Sequence, residues 1–329
     1  MLAEMIRRLF ERSLDDNAQA AARDSAWQGG LWAEVQEMGL PLALLSEDQG
    51  GFGLSAEEQG EALRLLGSLA VPLPLAETMG ANRLLAKAGL PLAEGPAGLA
   101  RADHLTLEDG ILTGRVERVA WGENLDCLAL AVGSTLYRVP RAGWTVAEAG
   151  SALNFHPRLA LAISWEADAL ASAPHCPLAE GATLRAFQIA GALEAALDMT
   201  LEHTATRVQF GKPLQKNQVV QHELAKLAGE LACATAAADL AAEALERGDV
   251  LGVAAGSLRA REAAGNGAAI TTQMHGAIGF TREHRLHLHT TSLWTWRDEF
   301  GGQVYWATML GKAAMEAGGD GYWPMVTAL

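Results

Sequence analysis

The chain has 329 residues, half of them hydrophobic, and a formal net charge of −14. This apolar content is enough for a sizeable core and excludes a mainly disordered chain, while the acidic balance excludes the basic footprint of a nucleic-acid-binding protein. The three cysteines are widely spaced and form no CxxC pair, which argues against a zinc site or a disulfide framework and fits a reducing cytoplasm.

Residues 1–98 are predicted to form an N-terminal helical domain. The first residues are amphipathic and carry acids, which is typical of a helix and not of a secretory signal. A second helical pattern contains Val35 and stops at Gly39. Ser55 and Glu58 have the spacing of a capping box, which predicts a helix over residues 56–66.

A small β domain is predicted over residues 99–177. The dipeptide Asp109-Gly110 separates two short alternating runs, which is a strong signal for a β-hairpin. Short apolar runs predict three further strands, at residues 128–132, 135–139 and 161–165.

A helical bundle is predicted over residues 178–329, so the expected fold class is mainly α with a small middle β domain. No run of about 18 apolar residues indicates a membrane span. Four long helices with apolar stripes favour a four-helix bundle. The four are predicted from the stripes at residues 184–201 and 220–231 and from the helical patterns at about 250–276 and 302–317.

Two separated motifs in the bundle indicate a cofactor site. The segment RVQFGKPL begins at Arg207 and combines a permanent cation, an amide, an aromatic ring and a glycine turn. The segment QMHGAIGF begins at Gln273 and contains glycines at which backbone can approach a ligand closely. Together they suit a large anionic cofactor that has a diphosphate and flat rings.

These motifs, in this order of domains, resemble the acyl-CoA dehydrogenase family. LWAEVQEMGLPLALLSEDQGGFGLS is similar to its N-terminal signature, RVQFGKPLQKNQVVQHELA and QMHGAIGFT to its two C-terminal FAD motifs, and RDEFGGQ to its Glu-Gly-Thr segment. The resemblance implies an enzyme of lipid metabolism that holds FAD between domains and across a subunit interface. It implies removal of the proton α to a thioester carbonyl, with transfer of the β-hydrogen to flavin N5 as hydride.

The resemblance also implies the residues that bind FAD. Arg207 would reach the diphosphate of a neighbouring subunit's cofactor, although a helix-end arginine that satisfies carbonyls is the alternative. Phe210 could equally be a core residue, and Val119 and Ala120 could belong to an ordinary strand and not to the backbone that faces the isoalloxazine. The full implied set is Arg207, Gln209, Phe210, Gln218, Gln273, Gly276, Ala277, Gly279, Val119, Ala120, Gly301 and Gln303.

Glu299 is the candidate catalytic base, because it stands four residues before Gln303 as in the family. The alternatives are a solvated charge in the run Arg297-Asp298-Glu299, or Asp298 as the base. Phe300 replaces the glycine that follows the base in the family. Other members carry the base on the first bundle helix, where this chain has Leu184, which cannot act as a base.

Several further positions complete the comparison. Arg185 and Lys312 match family positions near the CoA moiety, with a solvated arginine as the alternative for Arg185. The family's flavin and substrate loop is missing before the hairpin, where only GPAGLARAD stands. The histidines at 275, 284, 287 and 289 include an HxH pair, but no carboxylate or cysteine pattern accompanies it, so no metal site is expected.

Three functions remain open at this point. The first is a flavin-dependent acyl-CoA dehydrogenase that passes electrons to an electron-transfer flavoprotein or a similar acceptor. The second is a non-catalytic partner subunit of a hetero-oligomeric dehydrogenase, and the third is a flavin oxidase or monooxygenase on the same fold. In each case a homo-oligomer or a hetero-oligomer with a related subunit is expected, because the Arg207 motif serves a neighbouring subunit in the family.

Overall fold

A computed structural model describes residues 2–14, 26–102, 104–168, 170–173, 176–209 and 211–327. The chain divides into two compact units: the first comprises Met1–Gln59 and Val71–Leu184, and the second comprises Gly60–Ala70 and Arg185–Leu329. The fold class predicted from the sequence, mainly α with a small β region in the middle, is confirmed. The three domains predicted from the sequence, with boundaries at residues 98 and 177, stay a prediction.

The N-terminal segment is helical, as predicted. Its helices are α1 (Leu2–Ser13), α2 (Gly29–Glu37), α3 (Ala56–Ser68) and α4 (Leu75–Lys87). The capping box before α3 is confirmed, since the Glu58 N–H donates to Ser55 Oγ at 3.3 Å and the Ser55 N–H donates to Glu58 Oε2 at 2.9 Å. These reciprocal bonds satisfy backbone donors that the first turn of a helix leaves unpaired.

The β region of the first unit contains two four-stranded sheets, ordered β1-β4-β5-β8 and β2-β3-β7-β6. The strands are β1 (Ala97–Arg101), β2 (Thr106–Glu108), β3 (Ile111–Ala120), β4 (Cys127–Val132), β5 (Thr135–Pro140), β6 (Trp144–Ser151), β7 (Pro157–Glu166) and β8 (Leu170–Ser172). The predicted strands correspond to β4, β5 and β7. The other strands of the first sheet, β1 and β8, were missed, as was β6, because none of them alternates clearly between apolar and polar residues.

The predicted hairpin is confirmed as the turn between β2 and β3. Glu108 pairs with Ile111, so the loop consists of two residues, Asp109 and Gly110. Both have positive φ, 50° and 81°, which is the signature of the type I′ turn that this dipeptide favours. A register shift later in β3, between Val116 and Val119, keeps both of these valines buried in the core of the β region.

The second unit holds the helical bundle. Its elements are α5 (Pro177–Thr206), which begins in the first unit, then β9 (Val208–Gln209), β10 (Lys212–Pro213), α6 (Gln218–Arg247), α7 (Val250–His275), α8 (Leu286–Arg297) and α9 (Gly302–Thr327). The four predicted helices correspond to α5, α6, α7 and α9, although Leu201 at the end of the first stripe is 43% exposed. The sequence missed α8, because its buried face carries histidine and threonine among the apolar residues. Among the described helices, none is long and apolar enough to cross a membrane.

Close packing of α6 against α7 depends on a glycine. A Cβ at Gly256 would stand 2.4 Å from the Ala237 carbonyl oxygen, well inside van der Waals contact. The helices can therefore approach at this point only because residue 256 has no side chain. Elsewhere in the bundle, the apolar core includes Leu193, Leu227 and Leu293, all fully buried.

We predict that Gly256→Ala lowers the free energy of unfolding by about 1–3 kcal/mol, because the new methyl group forces α6 and α7 apart. Gly229→Ala on α6 is the matched control, since its Cβ would meet nothing within 4 Å. The control should raise stability by roughly 0.5–1 kcal/mol through helix propensity. Urea unfolding of both variants checks this, and equal effects of the two substitutions would contradict the packing argument.

Candidate active site

The RVQFG motif folds into a small hairpin directly after α5. The Arg207 N–H donates to the His203 carbonyl at 2.9 Å, and the Leu214 N–H donates to the Arg207 carbonyl at 2.9 Å. Strands β9 and β10 pair between these points, and Gly211 turns the chain with a φ of +77°. The hairpin leaves Arg207 and Gln209 exposed to solvent. Phe210 lies outside the described residues.

The QMHGAIGF motif lies where α7 ends. Gly276 has φ +64° and ψ −142°, a conformation that only glycine adopts readily, and no atom lies within 4 Å of the position a Cβ would take. Gln273, Gly276 and Ala277 are exposed, whereas Gly279 is buried. Because Ala277 has ordinary backbone angles, its methyl group adds no backbone strain where the family has glycine.

Three histidine rings connect the ends of the two motif helices. The His203 ring, near the end of α5, stacks on the His275 ring, at the end of α7, with centroids 4.4 Å apart. His284 packs edge-on against His275 at 4.8 Å. Burial, together with the neighbouring His203 and His284, lowers the pKa of His275 to about 4. His275 is therefore neutral at neutral pH, which lets the three rings pack closely.

The HxH pair on α8 is engaged in the bundle. His287 and His289 are both buried, and His287 Nδ1 lies 2.8 Å from the His284 carbonyl oxygen. Burial lowers the pKa of His289 to about 4. Across the part of the chain that the structure describes, no group of three or more histidine, cysteine, aspartate or glutamate side chains has the arrangement of a metal site.

The buried histidines predict acid sensitivity. An unfolded histidine has a pKa near 6.5, so between about pH 6.5 and 4 the unfolded chain binds more protons than the folded one, and stability is lost as pH falls through that window. We predict that His275→Gln removes about 2 kcal/mol of the stability lost between pH 7.5 and pH 5. The exposed His222→Gln is the control. Urea unfolding at both pH values tests this, and an unchanged pH dependence in His275→Gln would refute it.

The candidate base lies on the loop between α8 and α9, where it forms a buried ion pair. Arg185 Nε donates to Glu299 Oε2 at 2.7 Å, and the two side chains are 2% and 9% exposed. Glu299 is therefore not a solvated charge. That description fits the neighbouring Asp298, whose side chain is 51% exposed and lies 3.4 Å from Arg297.

Arg185 makes several contacts besides this ion pair. It lies on α5, where its Nη1 also donates to Gln188, and its guanidinium stands 5.4 Å from the centre of the Phe300 ring and 5.7 Å from that of Trp296. The alternative of a solvated arginine is therefore wrong. Its role near CoA stays a prediction, since the contacts described here are all within the bundle.

The backbone of this loop has an unusual conformation. Phe300, Gly301 and Gly302 all have positive φ, at 47°, 99° and 66°. For the non-glycine residue Phe300 this costs roughly 1–2 kcal/mol. The two glycines account for the rest of the turn, since a Cβ at Gly301 would stand 2.8 Å from the Tyr305 ring.

A second buried arginine, which we did not predict, holds this loop. Arg261 on α7 is fully buried, and its Nη2 donates to the Glu299 carbonyl at 2.6 Å and to the Phe300 carbonyl at 3.3 Å. Burial, together with the nearby Arg185, lowers the pKa of Arg261 to about 9. The signal in the sequence was a charged residue among the small residues of a packed helix, where a charge is rarely found without a partner.

The structure brings some of the predicted site residues together and leaves others apart. Arg185, Glu299 and Gly301 meet in the second unit, and the partly exposed Gln303 follows at the start of α9. Gln218 begins α6 and Lys312 lies on α9, both exposed. Val119 and Ala120 lie on β3 in the first unit, where they pair with Leu159 and Arg158. Within the GPAGLARAD segment, Ala97–Arg101 forms β1 where the family's loop is missing.

Comparison with known proteins identifies the family. The model of the acyl-CoA dehydrogenase N-terminal domain matches residues 1–91, and that of the C-terminal domain matches residues 172–295. The acyl-CoA dehydrogenase IpdE2 of Mycobacterium tuberculosis is 30% identical over 294 residues, which cover 88% of both chains. The protein of the same name from Mycolicibacterium smegmatis is 27% identical over 300 residues, or 88% of this chain and 90% of the relative.

Solved structures share the fold at low identity. A steroid acyl-CoA dehydrogenase variant, Tcur3481-Tcur3483, superposes with a TM-score of 0.86 at 22% identity and covers 96% of this chain and 97% of its own. The ChsE4-ChsE5 complex of Mycobacterium tuberculosis gives 0.83 at 20% identity, with 96% of each chain covered. Butyryl-CoA dehydrogenase of Megasphaera elsdenii gives 0.82 at 19% identity and covers 95% of this chain and 97% of its own.

Proposed function

Because the chain belongs to the acyl-CoA dehydrogenase family, we propose that it catalyses the FAD-dependent α,β-dehydrogenation of an acyl-CoA thioester. The observation that carries this proposal is the carboxylate of Glu299, which is 9% exposed and stands where the family has its base. An α-proton of a thioester is only weakly acidic, so its removal needs a carboxylate held in place and shielded from water.

The exposed groups of the two motifs fit FAD. Arg207 offers a forked, permanently charged donor for a diphosphate, and Gln209, Gln218 and Gln273 add amides. The open space at Gly276 lets backbone approach a ligand closely. FAD, when bound, supplies the acceptor for the β-hydrogen as hydride. Since these groups point to solvent within one chain, we propose that a second subunit, identical or related, completes the site.

Glu299 would act as the general base on the α-carbon. In the structure its carboxylate is engaged by the adjacent Arg185. For the carboxylate to accept a proton, this ion pair would lengthen when the acyl thioester enters and excludes water. The electrons then leave through an electron-transfer flavoprotein or a similar acceptor.

A second candidate is a partner subunit that does not itself turn over substrate. The observation that favours it is the same ion pair, because a carboxylate held by Arg185 and a loop held by Arg261 describe a static structural unit equally well. Two of the solved structures that share the fold are named as two-component assemblies. Under this reading the chain would contribute its Arg207 hairpin to a related subunit's flavin.

We predict that Glu299→Gln lowers the rate of flavin reduction by acyl-CoA on the order of 10²-fold or more, because the amide keeps the shape but accepts no proton. Asp298→Asn is the matched control on the exposed neighbour and should reduce at the wild-type rate. Stopped-flow absorbance at equal flavin content measures both. A thermal melt must accompany it, since the substitution leaves Arg185 buried without its carboxylate.

Two results would oppose the proposal. If Glu299→Gln reduces its flavin as fast as the wild type, Glu299 is not the base. If the wild-type chain stays oxidised with every acyl-CoA thioester in a screen, and turns over only together with a related subunit, the partner-subunit function replaces the dehydrogenase function for this chain alone.

We predict that Arg207→Ala releases much of the bound flavin, because the diphosphate loses its charged, forked partner. Arg247→Ala removes an equally exposed arginine from the end of α6 and should leave the flavin content unchanged. The ratio of flavin to protein absorbance after gel filtration provides the measurement. Equal flavin content in the two variants would exclude Arg207 as a cofactor ligand.

A further inference from the structure

The loop that carries Glu299 has a conformation that its own sequence does not favour. Phe300 stands at a φ of +47°, in the left-handed region where glycine is the ordinary residue. It also stands directly after the candidate base, so its backbone angles set the direction in which the loop leaves Glu299. Something outside the loop must stabilise this conformation.

Arg261 provides that stabilisation through the backbone. Its Nη2 donates to two successive carbonyls, those of Glu299 and Phe300, at 2.6 and 3.3 Å. The Trp306 Nε1 adds a third donor, 3.0 Å from the Phe300 carbonyl oxygen. Hydrogen bonds to two successive carbonyls fix the peptide groups on both sides of the Phe300 Cα, and the first of these peptide groups is joined to the Cα of Glu299.

The ring of Phe300 makes a contact that a glycine at this position could not make. It covers the Arg185 guanidinium at 5.4 Å from the ring centre, on the arginine that binds the Glu299 carboxylate. The loop is thus held by two arginines with different tasks. Arg185 contacts the Glu299 carboxylate, whereas Arg261 donates to backbone carbonyls, those of Glu299 and Phe300 in the turn and that of Ser257 on its own helix.

We propose that Arg261 is a positioning residue for the candidate base: it holds the Glu299–Phe300 turn in the left-handed conformation that this chain, unlike one with glycine at position 300, does not adopt unaided. The proposal rests on the proposed function only in that Glu299 is the base. It requires Arg261 and Phe300 to be energetically coupled. Arg261 should matter much less when residue 300 is glycine.

A double-mutant cycle tests this coupling with Arg261→Met, Phe300→Gly and the double variant, all in the full-length, flavin-loaded protein. The first measurement is hydrogen–deuterium exchange at the amides of residues 299–302, which needs no catalysis. Arg261→Met should raise this exchange about 10-fold or more, because two charge-assisted hydrogen bonds are lost. The same substitution in the Phe300→Gly background should raise it several-fold less.

Flavin reduction is the second measurement. Arg261→Met should lower the limiting reduction rate with little change in the acyl-CoA concentration that half-saturates it, since the base is misplaced while the binding groups remain. Arg261→Lys should restore part of the rate, because it returns a buried cation near the carbonyls. Arg259→Met is the matched control two residues away, where the side chain is 34% exposed and bonds to Glu230. It should change neither measurement.

The outcomes distinguish a failure of the positioning role of Arg261 from a failure of the proposed dehydrogenase function. If Arg261→Met changes loop exchange equally in both backgrounds, or changes it no more than Arg259→Met does, the positioning role is wrong. If Arg261→Met does not fold, the Arg261→Lys cycle decides in the same way. If exchange shows the coupling but no acyl-CoA reduces even the wild-type flavin, Arg261 holds the turn and it is the proposed dehydrogenase function that fails.

Discussion

The buried ion pair between Arg185 and Glu299 is the interaction on which the rest of the candidate site depends. Both side chains are almost entirely removed from water, at 2% and 9% exposure, and an unpaired charge there would cost several kcal/mol. Each charge therefore constrains the element that carries it. Arg185 fixes the register of α5, and Glu299 fixes the loop between α8 and α9. Arg261 on α7 then binds the backbone of the same loop, so α5 and α7 both hold the loop that carries this carboxylate.

The cofactor motifs rest on a different kind of constraint. Their exposed polar groups are carried by backbone turns, at Gly211 in the hairpin and at Gly276 after α7, that only glycine adopts easily. The helices that precede these turns, α5 and α7, meet near their ends, where the rings of His203 and His275 stack at 4.4 Å. A protonated pair would repel at that distance. The same burial that keeps His275 neutral thus allows these helix ends to meet.

Much of the fold could be predicted from local chemistry. The Asp109-Gly110 turn and the Ser55–Glu58 capping box are short-range signals, and both are present because nothing in the tertiary structure opposes them. The apolar stripes of α5 and α6 predicted the bundle for the same reason. The sequence analysis failed for elements that bury polar side chains. Helix α8 buries His287 and His289. Its sequence therefore lacks the separation into an apolar face and a polar face by which an amphipathic helix is recognised.

In the candidate site, too, the local features could be predicted from the sequence and the long-range contacts could not. Glu299 could be placed from its spacing to Gln303, because the spacing is local. Its partners could not, since Arg185 lies 114 residues before it and Arg261 lies 38 before it, and no local pattern links a carbonyl to a distant guanidinium. Phe300 looked like a departure from the family. The structure explains how it is accommodated: its ring covers Arg185, and Arg261 stabilises its backbone.

Exchange of the α-hydrogens of an acyl thioester is the most direct test of whether Glu299 removes the α-proton. The flavin-loaded protein is incubated in deuterium oxide with acetyl-CoA, which has an α-carbon but no β-hydrogen to lose as hydride, and deuterium at the α-carbon is followed by NMR. We expect exchange above the protein-free rate in the wild type and little above that rate in Glu299→Gln. Equal exchange in the two proteins, or none in a wild type shown to bind the thioester, would contradict this role of Glu299.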